Sequence, residues 1–316
     1  MDDYFDFEKP VSEMEKTIEK LKNLSPEKGD LSDEIHDLEK KCQAMREEIY
    51  SRLTPWQMIQ IARHPKRPVL QDYISMIFTQ FIELHGDRRF SDDQALIGGF
   101  AMLGKNRVML IGHNKGKNIE QNIMRNFAQP NPEGYRKALR LMKLAEKYNL
   151  PIISLVDTQG AFPGVGAEER GQAEAIALNL TEMATLEVPI IAVITGEGGS
   201  GGALAIAVGD VVLMQSYSVY SVITAEGCAS ILWRDASFSP QAAEAMKITA
   251  PSLLELGIID EIIPEPLGGA HHNPEAAASE LKRSLLKHLK KITGYSVSRL
   301  THKRFEKYSA MGKFNK

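Results

Sequence analysis

Two cysteines in 316 residues, Cys42 and Cys228, are too few and too far apart for a disulfide framework, and no C-x-x-C spacing offers a cysteine zinc site. No apolar run approaches the roughly 18 residues of a membrane span, and the opening MDDYFDFEKP is acidic, without an apolar core of signal-peptide length. The expectation is a cytoplasmic protein of a reducing compartment. Neither G-x-x-x-x-G-K-[ST] nor a clear G-x-G-x-x-G occurs, which argues against nucleotide binding. Basic and aromatic residues do not interleave in the RNP manner, which argues against nucleic acid.

The net charge of -3 hides an asymmetry. Residues 1–50 carry 15 acidic and 8 basic side chains, whereas residues 275–316 carry 11 basic and 3 acidic. Two solvated helical surfaces account for this. A sharper alternative is a basic tail that meets an acidic partner or a phosphorylated substrate.

Glycine is concentrated in one place. From Val188 the chain reads VPIIAVITGEGGSGGALAIAVGDV, with five glycines in the seven positions 196–202. Residues 190–195 are rich in β-branched side chains and short enough for a buried strand. The glycines suit neither a helix nor a strand interior, while residues 203–208 are able to be helical. The pattern predicts strand, glycine turn and helix N-terminus, with unpaired N–H groups aimed at whatever lies above. Three uses compete for them. One is a tight turn made for packing. Another is a nucleophile elbow, because Gly198-Gly-Ser200-Gly-Gly202 fits G-x-S-x-G and has Asp and His residues downstream. The last is an oxyanion hole built from backbone amides alone.

Along the chain, Val11, Met14, Ile18, Leu21 and Leu24, then Leu31, Ile35, Leu38, Cys42, Met45 and Ile49, recur at steps of three and four and mark two helices. SPEKGD at 25–30 supplies a stop and a new N-cap, so an antiparallel hairpin is predicted, resting on the main domain or on a partner subunit. Thr54-Pro55 starts a helix that runs to Arg63, and HPKRP at 64–68 interrupts the chain. Leu70, Tyr73, Ile74, Ile77, Phe78, Phe81 and Ile82 share one face, predicting a single core helix over 70–84. Residues 95–103 and 107–113 predict a hairpin around Gly104. The stretch 114–131 is polar, with Lys115, Lys117 and Arg125, and Asn131-Pro132 then opens a helix. PIISLVD at 151–157 is a strand leading into a second glycine loop, followed by a helix facing inward through Ala173, Ile176, Leu180 and Met183. Strands at 211–214, near 219–222 and at 258–263, a helix at 225–233 and an amphipathic segment at 275–292 complete the pattern. Strand, glycine loop and helix recur about 38 residues apart. This predicts an α/β protein with ligands at the strand C-terminal ends, where the two loops lie side by side.

Two such loops and a leading hairpin resemble the crotonase superfamily. The longer motifs are DTQGAFPGVGAEERGQ at 157–172, GEGGSGGALAIAVGD at 196–210, ITAEGCASILWRD at 223–235, NPEGYRKALRLMKLAEKY at 131–148 and PLGGAHHNPEAAA at 266–278. Together they are similar to the alpha-chain family of the bacterial acetyl-coenzyme A carboxylase carboxyltransferases, over nearly the whole chain. The resemblance implies a crotonase-like ββα spiral with an N-terminal helical hairpin and linker (1–68), a carboxyltransferase core (69–270) and a basic C-terminal helical segment (271–316). It implies transfer of the carboxyl group of N-carboxybiotin, held on the biotin carboxyl carrier protein, to acetyl-coenzyme A. The product would be malonyl-coenzyme A, in the first committed step of fatty acid biosynthesis. It also implies a beta partner with a cysteine zinc ribbon that supplies most of the coenzyme A site, an alpha2beta2 assembly, no metal on this chain, and ATP use by a separate biotin carboxylase component.

On that reading the amides of Gly201, Gly202 and Ala203 form the oxyanion hole, while Gly160, Ala161, Phe162, Gly199 and Ser200 shape the biotin pocket. Asp157 is expected to cap its own loop, and Glu168 and Glu169 to sit in a helical first turn. Lys115 and Lys117 are read as solvated rather than bound to coenzyme A phosphates. His271 and His272, as neighbours in an extended segment, should point apart and complete no metal site. Ser200 as a hydrolase nucleophile with His271 or His272 as base, and a scaffold without catalysis, are the competing readings.

Overall fold

The first two helices, α1 (Lys9–Lys28) and α2 (Ser32–Ser51), pack on each other through buried Val11, Ile18 and Cys42, with Met14, Ile35, Leu38, Met45 and Ile49 beside them. The structure is a computed structural model that describes residues 5–28 and 31–312. The stop expected within 25–30 falls later than Ser25, because α1 runs on to Lys28. Gly29 and Asp30 lie outside the described residues, and Leu31 is the N-cap residue of α2.

α3 (Pro55–Ala62) starts where expected. The Thr54 hydroxyl accepts from Gln57 N at 3.3 Å, and the Gln57 side chain accepts from Thr54 N at 2.8 Å, a reciprocal cap. α4 (Leu70–Ile77) is shorter than the single helix predicted over 70–84, because β1 (Thr79–Glu83) follows it. β1 runs antiparallel to β2 (Leu96–Leu103), with Ile82 opposite Phe100 and an irregularity after Thr79, where Gln80 has φ 51°. The apolar face carried two meanings there. The open edge of β2 offers backbone partners that a longer helix would leave unpaired.

β3 (Asn106–His113) closes the hairpin through Gly104 at φ +60°. A short helix, α5 (Ile119–Met124), then lies inside the stretch read as merely polar, capped by Asn118, which accepts from Gln121 N at 2.9 Å. Next come α6 (Pro132–Lys147), β4 (Ile152–Thr158), α7 (Val165–Glu169), α8 (Gln172–Thr185), β5 (Ile190–Gly199), α9 (Ser200–Leu204), β6 (Val211–Gln215) and β7 (Val219–Ser221). They are followed by α10 (Ala225–Trp233), α11 (Ser239–Met246), α12 (Ala250–Glu255), β8 (Glu261–Ile263), α13 (Pro274–Ile292) and α14 (Val297–Ser309).

The sheet order is β1-β2-β3-β4-β5-β6-β8, and β7 pairs with the far end of β5. Pairing is antiparallel from β1 to β3 and parallel from β3 onward. Both faces of the parallel part are covered, which is why its strands read as unbroken apolar runs. Met109, Ile111, Ile152, Ile190, Ala192 and Ile194 meet α6, α8 and α12 on one side. Val108, Leu110, Ile153, Ile191 and Val193 meet α4 and α13 on the other.

The basic C-terminal segment is partly internal. Arg304 of α14, 1% exposed, grips both carboxylate oxygens of Asp210 at 2.9 Å and donates to the carbonyls of Met183, Leu186 and Val188 at 2.7–3.0 Å. Asp210 also accepts from Ile190 N at 2.7 Å, so one ion pair ties the start of β5 to the last helix. Breaking a buried pair strands a charge. Arg304→Met is expected to cost on the order of 3–5 kcal/mol in a urea melt, whereas exposed Lys303→Met should change stability by less than about 0.5 kcal/mol.

Candidate active site

β4 and β5 are adjacent and parallel, and their C-terminal ends carry the two glycine segments side by side. β5 does not stop at Thr195. It continues through Gly196, Glu197, Gly198 and Gly199, pairing Glu197 with Val219, Gly198 with Tyr220 and Gly199 with Ser221. The glycines that argued against a strand serve close approach instead. A Cβ on Gly199 would lie 2.1 Å from the Gln159 carbonyl oxygen, and one on Gly202 would lie 2.5 Å from Ala161 N and from the Gly160 carbonyl carbon. Only glycine lets these backbones meet.

Asp157, at the end of β4, fixes their register. It caps the neighbouring segment rather than its own loop, accepting from Glu197 N at 3.0 Å, and it pairs with Lys115 at 2.8 Å. Thr158 makes the local turn, with its hydroxyl donating to the Gly160 carbonyl at 2.8 Å and accepting from Gly160 N at 3.1 Å. Buried Gln172 donates to the carbonyls of Phe162 and Pro130 at 2.9 Å, and Phe162 N donates to Pro130 O at 3.0 Å.

The result is a pocket of about 390 Å³. Ser200, Gly201 and Gly202 form its floor, Gly160, Ala161 and Phe162 one wall, and Val222, Ile223 and Thr224 the other. α9 starts at Ser200, earlier than the helix expected from Ala203 onward, so Gly201 and Gly202 occupy its first turn, where N–H groups have no helical acceptor. Ala203, the fourth residue of α9, is fully buried, and neither it nor buried Gly199 lines the pocket. A groove of about 770 Å³ between α3 and α11 is larger, but it has no glycine loop or amide floor. What the smaller pocket offers is fixed backbone dipoles between apolar walls, an arrangement that stabilises developing negative charge.

The family model described as acetyl co-enzyme A carboxylase carboxyltransferase-like matches residues 4–312. An acetyl-coenzyme A carboxylase carboxyl transferase subunit alpha from Geobacter metallireducens is 57% identical over 309 residues, covering 98% of this chain and 97% of that protein. One from Hydrogenovibrio crunogenus is 52% identical over 313 residues, covering 99% and 98%. The chain belongs to the alpha-subunit family of the acetyl-coenzyme A carboxylase carboxyltransferases. Carboxyl transfer, expected from the motifs, is the activity of that family. The fold agrees with the crotonase-like expectation. The transcarboxylase 12S core superposes with a TM-score of 0.56 at 18% identity, covering 79% of this chain and 44% of that one. A Pseudomonas malonate decarboxylase hetero-tetramer gives 0.57 at 15%, covering 70% and 89%.

Within this alpha chain the rival nucleophile lacks a base. Ser200 is exposed and held at φ 53°, a left-handed conformation of the kind found at nucleophile elbows, yet among the described residues no imidazole is hydrogen-bonded to it. His271 stacks on His64 at 3.8 Å, and His272 lies 4.4 Å from His271. The two neighbours pack together rather than pointing apart, because they follow a turn in which Gly268 and Gly269 have φ of +97° and +104°. Burial and the adjacent rings pull the His271 pKa down to about 2. Lys115 and Lys117 are also paired, to Asp157 and Asp72 respectively. Glu168 falls in the first turn of α7 as expected, and Glu169 is the last residue of that helix.

Sequence reasoning missed Gln172, the wall at Val222, Ile223 and Thr224, and His113. All but His113 fall in or beside the quoted motifs, but only the fold brings them to one pocket. His113 ends β3, 1% exposed. Burial pulls its pKa down from 6.5 to about 4, against the opposing pull of Asp157 and of the Gly202 backbone. Below pH 6.5 the unfolded imidazole takes a proton that the folded one refuses. Stability therefore falls as pH drops from about 6.5 to about 4, by up to about 1.4 kcal/mol per pH unit from this group. Urea melts across that window should show a shallower slope in His113→Gln. Gly202→Ala, whose methyl group meets only backbone, should part the two loops and cut carboxyl transfer by about 100-fold or more. Ser200→Ala should retain activity and show no loss of fluorophosphonate labelling.

Proposed function

We propose that the pocket takes the biotin end of N-carboxybiotin and that the Gly201 and Gly202 amides hold its ureido oxygen. The observation that carries this is the first turn of α9 lying open to the pocket floor. The residues present fit the group. Ala161, Phe162, Val222 and Ile223 suit an apolar bicycle, and the amides suit one polar edge. When bound, N-carboxybiotin supplies the carboxyl group, and the electron pair of the broken C–N bond stays with the ureido ring. The fixed amides meet that charge without reorganising, an effect that typically lowers a barrier by about 3–4 kcal/mol per donor. Backbone donors serve better than side chains here, because the loop contact fixes their direction.

The proton that leaves the acetyl-coenzyme A methyl group passes to the ureido nitrogen that has lost the carboxyl group, so no acid or base from this chain is needed on this reading, and the thioester enolate requires a second oxyanion site. That site belongs to a beta partner in an alpha2beta2 complex, the carrier protein delivers the biotin, and a separate biotin carboxylase component uses the ATP. Exposed apolar side chains are available to a partner: Val222 on the pocket's edge, Ile231 and Leu232 on α10, and Ile119, Ile123 and Phe127 on and after α5 are all more than half exposed. No helix among the described residues is long and apolar enough to cross a membrane.

The test is carboxyl transfer from malonyl-coenzyme A to free biotin, with this chain alone and then mixed with a carboxyltransferase beta subunit. Activity in the mixture alone is expected. Activity in the isolated chain, or none in a mixture shown to assemble, would contradict the proposal.

A further inference from the structure

The second wall of the pocket has its own anchor, and it comes from the N-terminal segment. Arg63, the residue that ends α3, reaches two carboxylates at once. Its Nε donates to Glu197 Oε1 at 2.9 Å, and its terminal nitrogens contact Glu197 at 2.8 Å and Glu226. Glu197 is the only residue between Gly196 and Gly199 that has a side chain, so its carboxylate is the one side-chain handle on that stretch of β5, beside the backbone pairing to β7 and to Asp157. Glu226 lies in the first turn of α10, directly after the wall residues Val222, Ile223 and Thr224. α3 and α10 also share one apolar cluster, which holds Ile59, Ala62, Ala225 and Ala229.

Stability is a weak reason for such a bridge. The Glu197 side chain is 6% exposed, and its second oxygen, Oε2, is buried with no hydrogen-bond partner. The desolvation cost of a buried pair often matches its Coulombic gain, so an imperfect one contributes little net stability. What the bridge fixes is distance, between the strand that ends in the amide floor and the helix that begins at the opposite wall.

We infer that Arg63 is a positioning residue for carboxyl transfer, setting the spacing between the Ser200–Gly202 floor and the Val222–Thr224 wall through Glu197 and Glu226. This rests on the pocket being the carboxyl-donor site. Arg63 touches no reacting atom. Its loss lets α10 drift from the floor, and a misplacement of about 1 Å can cost on the order of 100-fold in rate.

The experiment uses the assembled complex with the beta subunit and follows transfer from malonyl-coenzyme A to free biotin. Arg63→Gln should lower kcat/KM for biotin by about tenfold or more, while KM for malonyl-coenzyme A stays within about twofold. Arg63→Lys, which restores one contact but not the fork, should fall between. The double variant Arg63→Gln with Glu226→Gln should be no worse than Arg63→Gln alone, since both break one bridge. An assembled Arg63→Gln complex with wild-type kcat/KM for biotin, or with KM for malonyl-coenzyme A raised as much as KM for biotin, overturns the inference. If Arg63→Gln does not fold, Glu226→Gln keeps the contact to Glu197 and carries the test, and unchanged biotin kinetics there overturn it as well. Gly202→Ala in the same assay separates the two levels. Wild-type activity in Gly202→Ala would overturn the donor-site reading, whereas an inactive Gly202→Ala beside an unaffected Arg63→Gln would overturn only the role of Arg63.

Discussion

At Gly199, the last residue of β5, and at Gly202, the backbone runs so close to residues 159–161 that any side chain would fall within 2.1–2.5 Å of main-chain atoms. That contact decides most of the site. It requires glycine at two positions of the first segment and brings the loop carrying Ala161 and Phe162 over the first turn of α9, whose amides have no helical acceptor. A groove lined only by side chains could change shape as charge develops. Two backbones pressed together cannot, and a preorganised dipole is the kind of group that stabilises a transient oxyanion.

The rest of the molecule keeps the contact in place. Asp157 links the two strand ends through Glu197 N, and Lys115 neutralises it. Gln172 of α8 and Pro130, just before α6, hold Phe162, while Arg63 holds Glu197 from the N-terminal side. At the opposite end of β5, Arg304 pins Asp210, whose carboxylate caps Ile190 N. The strand that carries the site is therefore fixed at both ends by charge and along its length by burial on both faces.

Much of this was legible in the sequence because the central strands are apolar without interruption and the loops after them carry glycine. β3, β4, β5 and β6, the hairpin at Gly104 and α6 fall where hydrophobic runs and turn residues put them. Where reading failed, two physical demands shared one pattern. Residues 79–83 continue the apolar face of α4 and also suit a strand, and the unpaired edge of β2 chose between them. Residues 196–199 look unfit for a strand by propensity, yet the approach of a second backbone makes glycine the residue that fits there. The stacking of His64 on His271 and the burial of Arg304 join segments far apart in the chain, which no local spacing reveals. Of the site, the loops could be read directly, but the facing wall at Val222, Ile223 and Thr224 and the bridge through Arg63 depend on tertiary placement.

The central claim is that backbone amides of α9, not a side chain, meet the charge that forms during transfer. A structure of this chain with its beta partner and biotin tests it most directly. The account predicts a ureido oxygen within about 3 Å of the Gly201 or Gly202 nitrogen, with the ring between Phe162 and Ile223. Biotin bound outside this pocket, or with its ureido oxygen turned away from both amides, would contradict it.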